Sequence, residues 1–268
     1  MIKLVALDMD GTLLNSQSVL PEKNKLALQR IIAQGVKVVL ASGRPFQSLK
    51  KYCDLLSLNK EDDYTICFNG GEVVRNRTGK TVYFKGIDGR VVKKAWRLSL
   101  SLPTCFFAYD RQEIILYHTL SEYVMFEKNL TGNPVLQSDF SQIPDDGSYV
   151  KLTFTDSKET LDRVAEIIDE TFSSTHTVIR THAYFIEIVN RDTSKGAALK
   201  YLMETLNLKA EEVMAFGDND NDASMLKEAG YRIVMMNAFS EELKKIATEI
   251  APSNDDCGVA QILDRYIP

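Results

Sequence analysis

The stretch Ile2-Lys3-Leu4-Val5-Ala6-Leu7-Asp8-Met9-Asp10-Gly11-Thr12 is an apolar run that stops abruptly in two acids, a glycine and a threonine. Its shortness and its turn-forming boundary predict a buried strand over residues 2–7. Strands apolar on both faces belong to parallel sheets, where functional groups gather beyond the carboxyl ends. The device recurs along the chain. Residues 36–41 lead into Ser42-Gly43-Arg44-Pro45, residues 64–68 into Asn69-Gly70-Gly71, and residues 213–216 into Gly217-Asp218-Asn219-Asp220-Asn221-Asp222. Helical patterns fall between them, over 21–34 with apolar Leu26, Leu28, Ile31 and Ile32, then over 45–56 and 194–206. Pro21 and Pro45 suit first helical turns and Gly35 suits a stop. This rhythm predicts an α/β fold, a doubly wound, Rossmann-like parallel sheet.

From about residue 85 the texture changes. A helix over 89–100, a hairpin from 104–109 and 113–118, a helix over 121–130 and a strand over 149–155 follow one another. An amphipathic helix over 157–172, with Leu161, Val164, Ile167 and Ile168 on one face, precedes strands at 177–181 and 184–189. Helix-then-hairpin occurs twice, which predicts an α+β insert. The expected organisation is a core of residues 1–85 and 190–268 interrupted by a cap domain of residues 86–189, with hinges near 85–88 and 190–193.

The bulk composition is that of a globular enzyme: 268 residues, 44% hydrophobic and 26% charged. A net charge of −5 argues against nucleic acid or an anionic membrane as the main partner. The four cysteines are scattered without a C-x-x-C pair, which predicts reduced thiols and a cytoplasmic setting. The first residues lack a signal-peptide pattern, and no apolar run reaches the roughly 18–20 residues of a membrane span.

Asp8 and Asp10 lie just past a strand end, where both can turn toward one cleft. Neighbouring carboxylates repel unless a cation or proton intervenes. Mg²⁺, a hard ion that takes oxygen ligands, is the expected cation, with Asp218 completing the set. A bare D-x-D also serves as a helix cap, so the second acidic cluster carries the weight. Ser42, before a helix start, offers a hydroxyl near free backbone N–H groups and is equally compatible with a simple N-cap. Lys195 sits at a helix start, where the macrodipole disfavours a cation; the placement points to an anion or a carboxylate partner, although a solvated lysine is also compatible with it.

In order, D-M-D-G-T-L-L (8–14), A-S-G-R (41–44), S-K-G (194–196) and G-D-N-D-N-D (217–222) resemble the four motifs of the haloacid dehalogenase (HAD) superfamily, most closely its Cof-type capped phosphatases. The resemblance spans essentially the whole chain. It implies an aspartyl-phosphate mechanism with Asp8 as nucleophile and Asp10 as general acid and base. Mg²⁺ would be held by Asp8, the Asp10 backbone and Asp218. Phosphoryl oxygens would be bound by Ser42, Lys195, Asn221 and backbone N–H groups near Met9, Asp10 and Gly43. Asp222 would support the metal shell and orient Lys195, and Asn69 would lie at the substrate side. Arg44 would either steer anions or brace its loop. The fourth motif carries Asp220 where many relatives have Gly, Gln or Glu, and Asp220 is expected to be solvated.

The implied activity is hydrolysis of a small phosphomonoester, such as a sugar phosphate. The rivals are a phosphomutase of the same superfamily and a catalytically silent phospholigand-binding protein. Specificity is expected from the cap, with Lys151, Tyr184 and Glu187 as candidates, although each is equally compatible with a structural role. The expected partner is a small phosphorylated metabolite, and a monomer is the default.

Overall fold

In the computed structural model, which describes residues 1–268, the opening apolar run forms β1 (Leu4–Asp8), buried throughout. It is followed by α1 (Glu22–Ala33), β2 (Lys37–Ala41), α2 (Phe46–Leu55), β3 (Tyr64–Cys67), β4 (Glu72–Arg75) and β5 (Lys80–Phe84). Pro21 and Pro45 stand immediately before their helices, in the extended conformation. β4 and β5 form an antiparallel hairpin after β3 that the sequence reading did not anticipate. Their runs are short and interrupted by the polar turn Asn76–Gly79, so neither shows a clear period.

The chain then enters β6 (Ile87–Asp88), α3 (Gly89–Ser101), β7 (Cys105–Asp110), β8 (Ile115–Tyr117), α4 (Glu122–Thr131) and β9 (Val135–Gln137). β10 (Ser148–Thr155), α5 (Lys158–Phe172), β11 (His176–His182) and β12 (Phe185–Asn190) complete this segment. It ends with α6 (Lys195–Thr205), β13 (Val213–Gly217), α7 (Ala223–Glu228), β14 (Tyr231–Met235), α8 (Glu241–Lys245), β15 (Glu249–Ala251) and α9 (Gly258–Tyr266). The chain divides into two compact units: residues 1–84 with 194–268, and residues 85–193.

The first unit is built on an eight-stranded sheet in the order β15-β14-β13-β1-β2-β3-β4-β5, parallel from β15 to β3. Both faces are covered, as a parallel sheet requires. On one face, Leu4, Ala6, Val39 and Val213 pack with Leu199 and Leu202 of α6 and Leu226 of α7. α1 buries Ala27, Leu28 and Ile31, whereas Leu26 is 56% exposed. Leu26 therefore lies outside the buried stripe of α1, although the sequence pattern predicts it inside.

The second unit holds a mostly antiparallel sheet in the order β11-β12-β10-β7-β8-β9. Alternation divides its residues between two faces. Phe106, Ala108, Leu152, Phe154, Ile186 and Ile188 pack under α3 and α5. α5 contributes Leu161, Val164, Ile168 and Phe172, while Ile167 is 44% exposed and lies off the stripe.

Candidate active site

The register around β1 decides which groups meet. Leu7 lies opposite Phe216 of β13, and Asp8 lies opposite Ala41 of β2. Asp8, Ser42 and Asp218 therefore emerge along the same carboxyl edge. β2 joins one side of β1 and β13 the other, so the connecting loops leave in opposite directions. Open α/β sheets form their crevice at such a switch point.

Asp8 is 7% exposed. Lys195, the first residue of α6, donates to Asp8 Oδ1 at 2.5 Å and to Asp222 Oδ1 at 2.7 Å. Its side chain is fully buried. Burial alone would favour loss of its proton, but the attraction of Asp8 and Asp222 outweighs this and holds its pKa above the ordinary value. These two carboxylates account for a cation placed against the helix dipole. Burial pushes the Asp8 carboxyl well above the carboxylate range; Lys195 opposes the shift, and Asp222 and Asp218 add repulsion to it.

Asp218 is also raised, chiefly by burial, although the Thr12 hydroxyl donates to its Oδ1 at 2.7 Å and works the other way. Asp222 is fully buried and its second oxygen accepts the backbone N–H groups of Asp218 and Asn219 at 3.0 and 3.1 Å. Carboxylate oxygens of Asp8, Asp218 and Asp222 lie within 4.8 Å of one another. Three acids thus face one ammonium, an imbalance that a bound cation would offset. Gly11 makes the arrangement possible. At φ +83°, it brings the backbone so close that a Cβ would lie 2.3 Å from Asp218 Oδ2.

Ser42 is buried, and its Oγ accepts the Arg44 N–H at 3.2 Å. The Asn69 N–H donates to the Ser42 carbonyl at 2.9 Å. Asn69, in the left-handed region at φ 55°, also accepts from Asn221 Nδ2 at 3.0 Å. Gly43 packs against the same amide, where a Cβ would lie 3.0 Å from Asn69 Nδ2. Ser42, Gly43, Asn69 and Asn221 therefore form one connected rim. Beside them, Gly70 at φ +96° approaches so closely that a Cβ would lie 2.0 Å from the Ser194 carbonyl.

Asp10 points elsewhere. Its carboxylate is 49% exposed and takes a two-pronged contact from Arg44, with Nε to Oδ2 at 2.9 Å and Nη2 to Oδ1 at 2.5 Å. The Met9 side chain is in the core, and its carbonyl accepts the Leu14 N–H at 2.8 Å. Asp220 is exposed.

Two of the cap candidates are internal to their own unit. Lys151 and Glu187 are both 7% exposed and ion-paired at 2.5 Å, with Glu127 at 3.4 Å from the same ammonium. Tyr109 donates to Glu127 at 2.8 Å. Tyr184 is 37% exposed and its ring lies 5.3 Å from that of Tyr123.

Three contributors escaped the sequence reading. Thr12 orients Asp218 as described. Asn237, two residues past β14, donates through Nδ2 to the Gly11 carbonyl at 2.8 Å and accepts the Asn254 N–H at 3.0 Å. Asn254, buried, donates to the Leu14 carbonyl at 2.9 Å. This pair ties both sides of the loop after β1 to the far end of the sheet. The signal for Asn237 was its position, a polar residue beyond the carboxyl end of a buried strand.

The chain is 34% identical over 268 residues to a Bacillus subtilis protein named "Putative phosphatase YxeH", covering 100% of this chain and 99% of that one. It is 28% identical over 291 residues to the 5-amino-6-(5-phospho-D-ribitylamino)uracil phosphatase YwtE of the same organism, covering 99% and 98%. Its fold matches the crystal structure of a haloacid dehalogenase-like hydrolase from Bacteroides thetaiotaomicron with a TM-score of 0.89 at 31% identity, over 99% of each chain. The family model described as haloacid dehalogenase-like hydrolase matches residues 5–263. A match that begins within β1 and runs into α9 takes in both halves of the sheet, and the chain belongs to the haloacid dehalogenase-like hydrolase family.

Proposed function

We propose that this hydrolase is a Mg²⁺-dependent phosphatase that cleaves a small phosphomonoester through an aspartyl-phosphate on Asp8. The observation that carries the reading is the buried Asp8 at the switch point, held by Lys195 at 2.5 Å with Asp218 and Asp222 beside it. The carboxylate Oδ attacks phosphorus, the bond to the leaving oxygen breaks, and Asp10 supplies the proton that the departing alkoxide needs. A water then attacks the acyl phosphate and gives its proton to Asp10, which releases phosphate and restores both acids. To take part, Asp10 must let go of Arg44.

The donor set suits a hard divalent ion, because it consists of clustered oxygens carrying more negative charge than Lys195 balances. Asp8 and Asp218 would hold Mg²⁺ together with the Asp10 backbone carbonyl, and Asp222, already engaged by Lys195, would orient the set. The ion would supply neutralisation of charge where the nucleophile and the phosphoryl group meet. Ser42, Gly43, the Met9 loop, Asn221 and Lys195 would bind the phosphoryl oxygens.

The relative named for a phosphorylated ribityl compound supports a sugar-phosphate-like substrate. We assign substrate choice to residues 85–193, with Lys151, Tyr184 and Glu187 as candidates. Tyr184 has the most exposed side chain of the three, and Lys151 and Glu187 act through the shape of the network they build. The test is release of inorganic phosphate from a panel of phosphomonoesters with and without Mg²⁺. Turnover lost with EDTA supports the reading. A panel with no turnover, despite measured Mg²⁺ binding, would leave a phospholigand-binding protein instead.

A further inference from the structure

The buried stripe of α1 has one polar member. It consists of Asn24, Ala27, Leu28 and Ile31, spaced as a single helical face. Asn24 is fully buried at a position where that pattern calls for an aliphatic side chain. Burying an amide is costly unless its groups are bonded. Both ends of this one are: Nδ2 donates to the Leu13 carbonyl at 3.1 Å, and Oδ1 accepts the Ala260 N–H at 3.1 Å.

The first bond leads to Asp8. The Leu13 N–H donates to the Asp8 carbonyl at 3.2 Å, so one residue separates Asn24 from the nucleophile. Leu14 repeats the arrangement: its N–H donates to the Met9 carbonyl at 2.8 Å, and its own carbonyl accepts Asn254 Nδ2 at 2.9 Å. The backbone that supports Asp8 and Met9 is therefore held from behind by two asparagines on different parts of the chain. The second bond leads to α9. Ala260 lies in its first turn, where N–H groups have no partner within the helix. Cys257, the residue at the N-cap of α9, has φ 57° and makes no side-chain cap bond. Asn24 supplies that cap from α1. A leucine at position 24 would suit the stripe but leave the Leu13 carbonyl and the Ala260 N–H unpartnered.

We propose that Asn24 is a positioning residue for the reaction at Asp8, fixing Leu13 against the start of α9 so that the nucleophile stays aligned; the role rests on the phosphatase reading of Asp8. A displacement of about 1 Å caused by a change remote from the chemistry can cost on the order of a hundredfold in rate.

The test compares full-length Asn24→Leu with Ile31→Ala, which deletes packing on the same stripe without touching the loop at Leu13. Three quantities are measured: turnover of p-nitrophenyl phosphate with Mg²⁺, thermal unfolding, and amide hydrogen exchange by NMR in Mg²⁺-free buffer. Both variants should melt below the parent. Only Asn24→Leu should lose kcat, by about tenfold or more, with KM held within about twofold. It alone should speed exchange at Leu13 and Leu14 by more than at the β1 amides. If Asn24→Leu does not fold, Asn254→Ala frees the neighbouring Leu14 carbonyl and should show the same split between kcat and KM. A kcat within about twofold of the parent, a loss that Ile31→Ala matches, or exchange that rises equally at Leu13 and in β1 would overturn the proposal. Turnover of the parent is measured first, so the phosphatase reading is decided on the parent and the positioning role on the variants.

Discussion

Replacing Lys195 by Met removes the only ammonium bonded to Asp8 and Asp222 while keeping most of the side-chain volume. Both acids remain buried in a space that no longer holds a counter-charge. Deleting one partner of a buried ion pair costs about 3–5 kcal/mol, because the other is left uncompensated. At about 2–4 °C per kcal/mol, the melting temperature should fall by about 6–20 °C. The loss depends on pH, and its sign follows from Asp8. Folding raises the Asp8 pKa, so its contribution is fully present below the unfolded value of 3.8 and is lost as pH rises through the folded value. Without Lys195, the main opposing influence is gone and ionised Asp8 is costlier still. The deficit of Lys195→Met should therefore be larger at about pH 8 than at about pH 5. Thermal unfolding followed by circular dichroism in Mg²⁺-free buffer measures both. A variant melting within about 2 °C of the parent at the higher pH would refute the account, as would an equal deficit at both pH values.

Three further outcomes follow from the same geometry. Mg²⁺ at a hundred times its dissociation constant should stabilise the parent by about 2.7 kcal/mol, and Asp218→Asn should abolish most of that gain in a thermal shift assay. Asn237→Ala should lower kcat with little change in KM, because it loosens the Gly11 carbonyl without touching the rim at Ser42 and Asn69; a loss confined to thermal stability would refute that positioning role. In the other unit, Lys151→Met should destabilise by about 3–5 kcal/mol by leaving Glu187 and Glu127 unpaired, and Lys151→Met/Glu187→Leu should recover much of the loss in urea unfolding.

The core was legible because its message is local. A buried strand, a polar turn and a glycine can be read within a dozen residues, and the four strand ends at Asp8, Ser42, Asn69 and Asp218 share that grammar. What was not legible depends on register or distance. Lys151 and Glu187 stand on different strands, and only the pairing of β10 with β12, which sets Thr153 opposite Glu187, brings the charges together. Strand alternation says which residues of one strand share a face, but neither which strand lies beside it nor what that face meets. Asn254 lies 240 residues from the carbonyl it binds, and no sequence pattern announces such a contact. The β4–β5 hairpin was missed because its strands are too short to show a period. Leu26 and Ile167 show the opposite error, in which the apolar letter was read as burial when the helix turned it outward.

The central claim is that Asp8 attacks phosphorus, and Asp8→Asn tests it most directly. That variant retains the volume of the side chain and removes a charge that burial, with repulsion from Asp222 and Asp218, disfavours more than Lys195 sustains it, while Lys195 keeps Asp222 as its partner, so it should fold at least as stably as the parent. Phosphate release from p-nitrophenyl phosphate with Mg²⁺ should nevertheless vanish, and rapid acid quench of the parent during turnover should leave a phosphoryl group on the peptide carrying Asp8. A folded Asp8→Asn protein that turns over substrate at the parental rate would contradict the account.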